Sequence, residues 1–562
     1  MKLLEKLTVL ASVTMLGVST AVYIPVKNTN AAPDEYHDDW LHVNENAEIV
    51  DMNGNPVWIT GCNWFGYNVG SQVFDGVWSQ NMHKMLNEIA DHGFNLLRVP
   101  MSTEILLQWK NGDPDPMIKI NEWENPELTV EGVVGGTPMY SFDIWNKAVE
   151  WCRENGMKIM IDIHSATTAS SGHQVPLWYD NNFSTDDWLE ALEWFADYYK
   201  DDDTILAIDL KNEPHGKNDG QGMAIWDDST AENNWKYAAE RGAAAVLGKN
   251  PNLLVVVEGI EVYPKFEEGG TWNSPPVDYS RYPYSDFHGA WWGANFRGAR
   301  EYPVDLGEHQ SQLVYSPHDY GPLVYAQTWF EKDFTTQTLL DDYWYDTWAY
   351  LIEENISPLL MGEWGGFIDE QHDPTGNNKK WMQLLRDYMI DKHIHHTFWC
   401  FNENSGDTGG LVYDNFGKWD EEKYEFVKPS LWQNESGKFI SLDHKIPLGQ
   451  SGSGISLSDY YIGTEKPETT ATETTESDII NFGDANLDGK VTIADATAII
   501  QSLGNSDEYA LSRQGEINAD VVDNGDGVTG VDANAIQAIE AGFISQTDFP
   551  IDKEVLDAAI NN

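Results

Sequence analysis

Short apolar runs rich in β-branched residues alternate with longer amphipathic stretches from about residue 35 to residue 446. This alternation is typical of repeated βα units, in which a helix follows each strand. The eight runs are Val57 to Cys62, Asn95 to Val99, Lys158 to Ile163, Thr204 to Asp209, Leu253 to Val257, Leu313 to Tyr315, Pro358 to Met361 and Thr397 to Phe401. They predict an α/β protein with a closed parallel (β/α)8 barrel, a TIM barrel. An open doubly wound sheet is the alternative, and no glycine-rich phosphate loop supports it.

The pattern changes twice after residue 446. Residues 447–480 are rich in Ser, Thr, Gly and Glu and hold too few apolar residues to fold alone, so we predict a linker there. Residues 481–562 contain two related segments, GDANLDGKVTIADATAIIQSLG and the weaker NADVVDNGDGVTGVDANAIQAIEAG. Each segment predicts a loop followed by a helix, and together they predict a small all-α module.

The first 32 residues have the features of a secretory signal. They begin with Lys2 and Lys6, continue through an apolar run from Leu7 to Ile24, and reach Ala31 and Ala32. A membrane anchor is the alternative, but the run is near the lower length limit for a span and no second hydrophobic span follows. We therefore expect a secreted protein with a signal at 1–32, a barrel at 33–446 and no membrane span after cleavage.

Composition and charge narrow the class of partner. The chain has 562 residues, which exceeds the size of a single hydrophobic core, and its net charge is -57. Nucleic acids and anionic membranes are captured by clustered Lys and Arg, so this charge disfavours both. All 24 tryptophans lie between Trp40 and Trp432. A neutral polymer or small molecule is therefore the expected partner of the front domain.

Two glutamates stand where barrel strands are predicted to end. Glu213 lies in the motif NEP after the fourth run, and Glu363 lies in the motif GEWG after the seventh. The carboxyl ends of barrel strands form the active-site rim, and strands four and seven place their side chains on opposite sides of it. A retaining glycosidase needs two carboxyl groups about 5 Å apart, one to attack the anomeric carbon and one to protonate the leaving oxygen.

Residues 40 to 435 resemble glycoside hydrolase family 5, in which the acid/base lies in NEP and the nucleophile follows strand seven. Six motifs carry the resemblance in order, each at a predicted strand end: NLLRVP, DIHS, DLKNEPHG, VYSPHDYG, MGEWGG and FWCFNENSGDTGG. GCNWFGYN, WWGANFRGA and YAQTWF are similar to the bacterial endoglucanase branch. The sequence departs from common family patterns at Lys211 and Ser165, which concerns the shape of the cleft and not its chemistry.

The resemblance implies a β-1,4-glucanase, a cellulase that acts with retention and needs no cofactor for catalysis. It implies Glu213 as acid/base and Glu363 as nucleophile. Glu213 would then need a raised pKa, supplied by burial and by the charge of Glu363. Glu363 would stay ionised with hydrogen bonds from Arg98 and Tyr320.

The resemblance also implies substrate contacts, namely Arg98, His164, Asn212, His318, Tyr320, Trp399, Trp64, Trp291, Trp292 and Gln327. A satisfied core position is the alternative for each of the two histidines, and core packing is the alternative for the tryptophans. Trp399 is favoured as a sugar platform because it ends the eighth run beside the glutamates.

The first tail segment has the oxygen spacing of a calcium loop. Its candidate ligands are Asp484, Asn486, Asp488, the carbonyl of Lys490, and Asp495. The duplication and an Asp in the last position resemble a type I dockerin, which implies calcium-dependent binding to a cohesin of a cellulosome scaffold. The second loop is one residue longer than the standard one, and its candidate ligands are Asp520, Asp523, Asn524, Asp526 and Asp532.

Other functions remain open on the sequence alone. The same barrel and glutamate pair serve enzymes that act on mannan, xyloglucan or mixed-linkage glucan. A carbohydrate-binding protein without activity would lack one of the glutamates, and neither is missing. A calcium-dependent scaffold component is a further alternative, against which the complete catalytic set argues.

Overall fold

The computed structural model describes residues 39–112, 120–275, 286–464, 482–486, 490–505, 509, 511, 513–522 and 527–561. The predicted signal at 1–32 lies outside these residues. The chain divides into two compact units, residues 1–465 and 466–562, and each is described by itself.

The first unit is built on eight parallel strands. Their bounds are Thr60–Asn63, Leu96–Ser102, Lys158–Ser165, Ile205–Asp209, Leu254–Glu258, Leu313–Ser316, Leu360–Met361 and His395–Phe398. Each strand pairs with its neighbours in chain order, and the first pairs with the eighth. Bridges from Tyr315 to Leu359 and from His318 to Glu363 close the ring between strands six and seven. The predicted (β/α)8 barrel is confirmed, and every predicted run overlaps one of its strands.

Alternation along the strands divides the core into two layers. Leu96, Met160 and Val256 belong to the cluster inside the barrel. Their strand neighbours Leu97 and Ile161 belong to the cluster that packs against the helices. Because successive side chains of a strand point to opposite faces, strands that are apolar throughout can fill both layers.

Helices surround this barrel. Those of the first unit are α1 (Met82–Asp91), α2 (Thr103–Asn111), α3 (Ser141–Glu154), α4 (Thr185–Tyr198), α5 (Trp235–Leu247), α6 (Thr336–Leu339), α7 (Tyr350–Glu353), α8 (Asn377–Lys392), α9 (Glu421–Val427) and α10 (Leu457–Thr464). A π-helical segment, Leu340–Ala349, joins α6 to α7. Polar caps begin several helices: the side chain of Ser102 accepts the N–H of Ile105 at the start of α2. The described residues between strands five and six form a hairpin and 3-10 turns instead of an α-helix.

Short strands complete the unit. They pair as His42–Val43 with Ile49–Val50, Val262–Pro264 with Phe287–Gly289, Val412–Tyr413 with Lys418–Trp419, and Phe439–Ile440 with Gly454–Ile455. The last of these pairs lies below the barrel, because Asn95, just before strand two, donates to the carbonyl of Ile440.

Residues 447–464 belong to the barrel unit, which corrects the predicted start of the linker. Leu448 and Leu457 are fully buried, and Leu457 packs in the inner core cluster. The hydroxyl of Tyr461 donates to the carbonyl of Pro56, just before strand one. Composition alone suggested a linker because the few apolar residues of this segment are widely spaced. Those few residues cover the lower end of the barrel.

The second unit is helical, with α11 (Ile493–Gly504), α12 (Arg513–Ala519), α13 (Gly530–Glu540) and α14 (Lys553–Asn561). The two related segments contact each other, because Gly483 N–H donates to the carbonyl of Asn518 and the Asn518 side chain donates to that of Asp484. A small core of Ala, Val, Ile, Leu and Phe residues forms within this unit. Among the described residues, no helix of the protein is long and apolar enough to cross a membrane.

Candidate active site

A cavity of about 660 Å³ opens at the carboxyl ends of the barrel strands. Its lining includes both candidate glutamates and most of the predicted substrate contacts: His164, Asn212, Glu213, Trp291, Trp292, Tyr320, Gln327, Glu363 and Trp399. The fold therefore brings together predicted site residues that are spread over more than 230 positions of the chain. Arg98 and His318 were also predicted as substrate contacts, but both are fully buried and neither lines the cavity.

Glu213 and Glu363 face each other inside the cavity. One carboxyl oxygen of Glu213 lies within 4.8 Å of one carboxyl oxygen of Glu363. Glu363 is almost completely buried, whereas the Glu213 side chain is 12% exposed. The backbone of Glu213 has a φ of +50°, a left-handed conformation that residues with a side chain rarely adopt. The turn after strand four thus points the Glu213 side chain at its partner.

The carboxyl group of Glu363 receives two strong donors. Arg98 Nη1 donates to Glu363 Oε1 at 3.0 Å, and the hydroxyl of Tyr320 donates to Oε2 at 2.6 Å. Charge-assisted bonds of this kind favour a carboxylate over a carboxylic acid. These are the two donors expected from the family resemblance.

Arg98 is the centre of a buried charge cluster. Its guanidinium also contacts Asp162, Asp209 and Glu258, with nitrogen to oxygen distances of 3.3, 2.8 and 3.3 Å. Amide oxygens of Asn63 and Asn212 accept from it at 2.9 and 3.0 Å. One cation therefore faces an excess of acidic groups, and their pKa values depend on one another.

His318 connects the two glutamates with the cluster. Its Nδ1 lies 3.1 Å from Glu213 Oε1 and 3.7 Å from Glu363 Oε2. Its Nε2 lies 3.1 Å from Glu258 Oε1. Burial disfavours the imidazolium, but the charges of Glu258 and Glu363 outweigh burial and raise the pKa of His318 well above its ordinary value.

The pKa directions of the glutamate pair differ from the expectation. Burial raises the pKa of Glu213, but the hydrogen bond and charge of His318 reverse this effect, so that its pKa is lowered. Burial and the charge of Glu213 raise the pKa of Glu363 against the attraction of His318 and Arg98. The sequence could not show His318 beside Glu213, and this contact reverses the expected order in the substrate-free site.

Trp399 forms a wall of the cavity together with two other rings. Its indole lies nearly parallel to the imidazole of His164, with centroids 5.8 Å apart, and to Phe65, at 5.7 Å. His164 is fixed from below by Asp162, at 2.8 Å from its Nδ1. Trp399 is only half-buried, unlike a packed core tryptophan.

Trp291, Trp292 and Gln327 line a further part of the cavity. The Trp292 indole stacks on the imidazole of His215, with centroids 3.7 Å apart. Burial lowers the pKa of His215 to about 4, so this imidazole is neutral at neutral pH.

Trp64 is a correction to the predicted substrate contacts. It is fully buried, stacks on Phe74 at 4.1 Å, and donates its indole N–H to the carbonyl of Asp75. The neighbouring Phe65 reaches the cavity instead. Both residues lie just after strand one, where the Trp64 ring turns into the core and the Phe65 ring turns toward the cavity.

Three acidic site residues were missed in the sequence: Asp162, Asp209 and Glu258. Each lies at or near the end of strand three, four or five, and each is fully buried. An acidic residue that ends an apolar strand is a signal that could have found them, because a buried charge needs a partner.

Two groups of three side chains have potential metal-ligand atoms within 4.8 Å of one another, Asp209–Glu258–His318 and Glu213–His318–Glu363. Both share His318. Their carboxyl groups already contact Arg98, Tyr320 or His318, so the donor atoms are engaged within the protein.

In the tail, the structure describes Asp484, Asn486, Lys490, Asp495, Asp520 and Asp532 of the candidate calcium ligands. Asp488, Asp523, Asn524 and Asp526 lie outside the described residues. Asp495 and Asp532 occupy equivalent places, since each caps a helix by accepting the N–H of a threonine three residues earlier, Thr492 or Thr529.

Two carboxyl groups this close, opposed at the open end of a parallel barrel, define the protein as a glycoside hydrolase. Comparison with known proteins gives the family. The family described as cellulase (glycosyl hydrolase family 5) matches residues 50–405. The chain belongs to this family.

Two relatives come from Acetivibrio thermocellus. Endoglucanase G is 50% identical over 490 residues, which cover 83% of this chain and 85% of the relative. Endoglucanase B is 40% identical over 526 residues, which cover 87% and 91%. A solved structure of an endocellulase from Pyrococcus horikoshii with cellotetraose is 30% identical, has a TM-score of 0.59, and covers 70% of this chain and 98% of that one.

Proposed function

We propose that the protein is a secreted endo-β-1,4-glucanase that hydrolyses internal bonds of cellulose and related β-glucans with retention of configuration. The observation that carries the proposal is the close pair of Glu213 and Glu363. Retaining glycosidases hold their carboxyl groups about 5–5.5 Å apart, whereas inverting enzymes leave about 6.5–9.5 Å for a water molecule. The short separation supports direct attack by one of the two glutamates.

Glu363 is the nucleophile in this proposal. Arg98 and Tyr320 donate to its two oxygens and stabilise the anion that attacks the anomeric carbon. The attack forms a bond from Glu363 to the sugar and breaks the bond to the leaving oxygen, which takes a proton from Glu213. In the second step Glu213, now a carboxylate, removes a proton from a water molecule, whose oxygen attacks the anomeric carbon and breaks its bond to Glu363.

Glu213 needs a proton before the first step, although its pKa is low without substrate. His318 supplies a route, because its Nδ1 already lies 3.1 Å from Glu213 Oε1. Transfer of the imidazolium proton along this hydrogen bond leaves a neutral imidazole and a neutral acid without movement of heavy atoms. A sugar that excludes water from Glu213 favours this neutral form.

A β-glucan chain fits the character of the cavity. Trp399 and Trp292 offer planar apolar surfaces to pyranose rings, while Asn212 and Gln327 offer polar groups to hydroxyls. The two relatives are named endoglucanases, and the compared structure holds cellotetraose. Secretion is supported by the signal-like residues 1–32.

Trapping with azide tests the catalytic roles. With an aryl β-cellobioside, Glu213→Ala should give a β-glycosyl azide, because the intermediate on Glu363 still forms. Glu363→Ala should give the α-azide, because azide then enters from the vacated face. Proton resonance of the anomeric hydrogen distinguishes the two products. Reversed azide products, or initial release of the α-anomer by the unaltered enzyme, would contradict the assignment.

Polymer assays test the substrate. On carboxymethylcellulose, viscosity should fall much faster than reducing ends appear, because internal bonds are cut. Mannan, xyloglucan, mixed-linkage glucan and xylan serve as controls. A higher kcat/KM on any of these controls than on carboxymethylcellulose would replace the proposed preference.

For the tail we propose a dockerin that binds a cohesin in a calcium-dependent manner and attaches the enzyme to a cellulosome scaffold. The repeated helix caps Thr492–Asp495 and Thr529–Asp532 and the contact between the two segments support it. Calcium would be held by carboxylate and carbonyl oxygens of the loops that precede α11 and α13, and its binding would contribute folding free energy. Cohesin binding measured by calorimetry with and without calcium tests this proposal.

A further inference from the structure

Glu258, the last residue of strand five, contacts three parts of the catalytic site. Its Oε2 accepts the backbone N–H of Glu213 at 2.8 Å. Its Oε1 lies 3.3 Å from Arg98 Nη2 and 3.1 Å from His318 Nε2. Glu258 is fully buried and does not line the cavity, so it can act on the substrate only through these neighbours.

The contact with the Glu213 backbone has a specific consequence. Glu213 adopts a φ of +50°, and such a conformation persists only where the surroundings hold it. Its N–H is held by Glu258 from one side. On the other side Gly293 packs so closely that a Cβ there would stand 2.1 Å from Glu258 Oε2 and 3.4 Å from Glu213 Cα. The Glu258 carboxyl group therefore packs between the backbone of Glu213 and Gly293, where a larger residue would collide with it.

Glu258 also acts on the side chain of Glu213, through its contact with His318. The Glu258 carboxyl group lies 3.1 Å from His318 Nε2 without hydrogen-bond geometry, so it attracts the ring by charge, while Nδ1 of the same ring lies 3.1 Å from Glu213 Oε1. One carboxyl group thus anchors both the backbone of Glu213 and its hydrogen-bond partner. The other charged groups around Glu258 are Arg98, Asp209 and the buried Lys211.

We propose that Glu258 is a positioning residue for acid/base catalysis by this glycoside hydrolase. It holds Glu213 in the strained turn and aims His318 at it, so that Glu213 reaches the leaving oxygen. This inference rests on the acid/base role proposed for Glu213. Glu258 itself does not contact the substrate in this proposal.

The dependence of the rate on the leaving group tests the inference. Cellotetraose has a poor leaving group that must be protonated, whereas dinitrophenyl β-cellobioside has one that departs without an acid. Glu258→Ala should lower kcat/KM on cellotetraose by about 100-fold or more, the size of a general-acid contribution. It should lower kcat/KM on the dinitrophenyl substrate by less than about tenfold. Glu258→Gln keeps an acceptor for the Glu213 N–H, so its loss on cellotetraose should be clearly smaller.

Asp209→Asn is the matched control. Asp209 is equally buried and bonds the same guanidinium at 2.8 Å, but that guanidinium holds Glu363. Its replacement should therefore affect both substrates by similar factors, because the nucleophile acts on both. Thermal unfolding shows whether each variant is folded. If Glu258→Ala does not fold, Glu258→Gln must show the same selective loss on cellotetraose, only smaller.

Two results overturn the inference. One is an equal fall in kcat/KM on both substrates in the folded Glu258 variants. The other is an unchanged kcat/KM on cellotetraose in these variants. Glu213→Ala separates this failure from failure of the proposed function. If Glu213→Ala keeps full activity on cellotetraose, the role of Glu213 is wrong. If Glu213→Ala shows the selective loss and the Glu258 variants do not, only the inference about Glu258 is wrong.

Discussion

The two units of the protein hold their buried carboxyl groups in different ways. In the barrel, one guanidinium faces the carboxyl groups of four residues from different strand ends, namely Asp162, Asp209, Glu258 and Glu363. In the tail, Asp495 and Asp532 accept backbone N–H groups from residues no more than eleven positions away. Charge compensation in the barrel therefore requires the whole closed fold, whereas in the tail it is local and repeated.

This difference has a consequence for how each unit responds to change. A carboxyl group whose partner is a distant side chain loses that partner when one residue is replaced. A carboxyl group that caps its own helix keeps its partners as long as the helix forms, and calcium bound at the proposed loops would add to that stability. We therefore expect the barrel to be sensitive to substitution at its centre and the tail to be sensitive to the metal.

The largest effect is expected for Arg98→Met. The change leaves four buried carboxyl groups without their common cation, and breaking a buried ion pair costs about 3–5 kcal/mol. Urea unfolding of the barrel and hydrolysis of carboxymethylcellulose should both show the loss. Arg300→Met is the control, because Arg300 and Glu354 are about 40% exposed and solvent screens their ion pair. Equal losses for the two variants would contradict the idea that the cluster depends on one central cation.

Removal of calcium should unfold the tail and spare the barrel. We expect a chelator to abolish a separate thermal transition of the tail and to leave the rate on soluble substrate unchanged, since the catalytic residues bind no calcium in this proposal. Asp495→Ala should reproduce the effect on the tail at calcium concentrations that saturate the unaltered protein. Identical unfolding of the tail with and without calcium would refute a structural metal.

Trp399→Ala should damage catalysis more than stability. Loss of a stacking surface of this kind corresponds to about a tenfold or larger fall in kcat/KM. Trp64→Ala is the matched comparison, because Trp64 is fully buried and its truncation should cost about 3–5 kcal/mol of stability. The free energy of unfolding is measured for both variants, and kcat/KM is measured on the folded fraction of each. If Trp399→Ala behaves like Trp64→Ala, the ring is packing and not a sugar platform.

The smallest effect is expected at the lower end of the barrel. There the hydrogen bond to Asp39 raises the pKa of His444 against burial, with a further contribution from Asp51. A group whose pKa is raised on folding stabilises the protein fully below its unfolded pKa of 6.5, and this stability is lost as the pH rises through the folded value. His444→Gln should therefore lower the free energy of unfolding at pH 5 more than at pH 8.5. A loss that is independent of pH would show that the charge of His444 contributes nothing.

The sequence was sufficient to predict the barrel and the position of the glutamate pair. Strand runs and their ends are local patterns. Because the carboxyl ends of all barrel strands meet at one rim, residues at those ends can be predicted to lie close together. It was not sufficient for the cluster around Arg98. Which acidic residues meet that guanidinium depends on closure of the ring, which no single stretch of sequence encodes.

Two errors have simple physical origins. Trp64 and Phe65 are adjacent residues just after strand one, and the sequence does not show which of the two rings enters the core. Residues 447–464 have the composition of a linker, but Leu448 and Leu457 are enough to hold them against the barrel. The pKa order of the glutamates could not be predicted because it depends on the placement of His318 beside Glu213.

The segment that covers the lower end of the barrel also decides where the chain leaves it. The Tyr461 hydroxyl donates to the carbonyl of Pro56, which precedes barrel strand one, at the end opposite to the rim that carries Glu213 and Glu363. In the proposed function, a β-glucan chain in the cleft therefore lies across one end of the barrel, while the described polypeptide of this unit ends at the other.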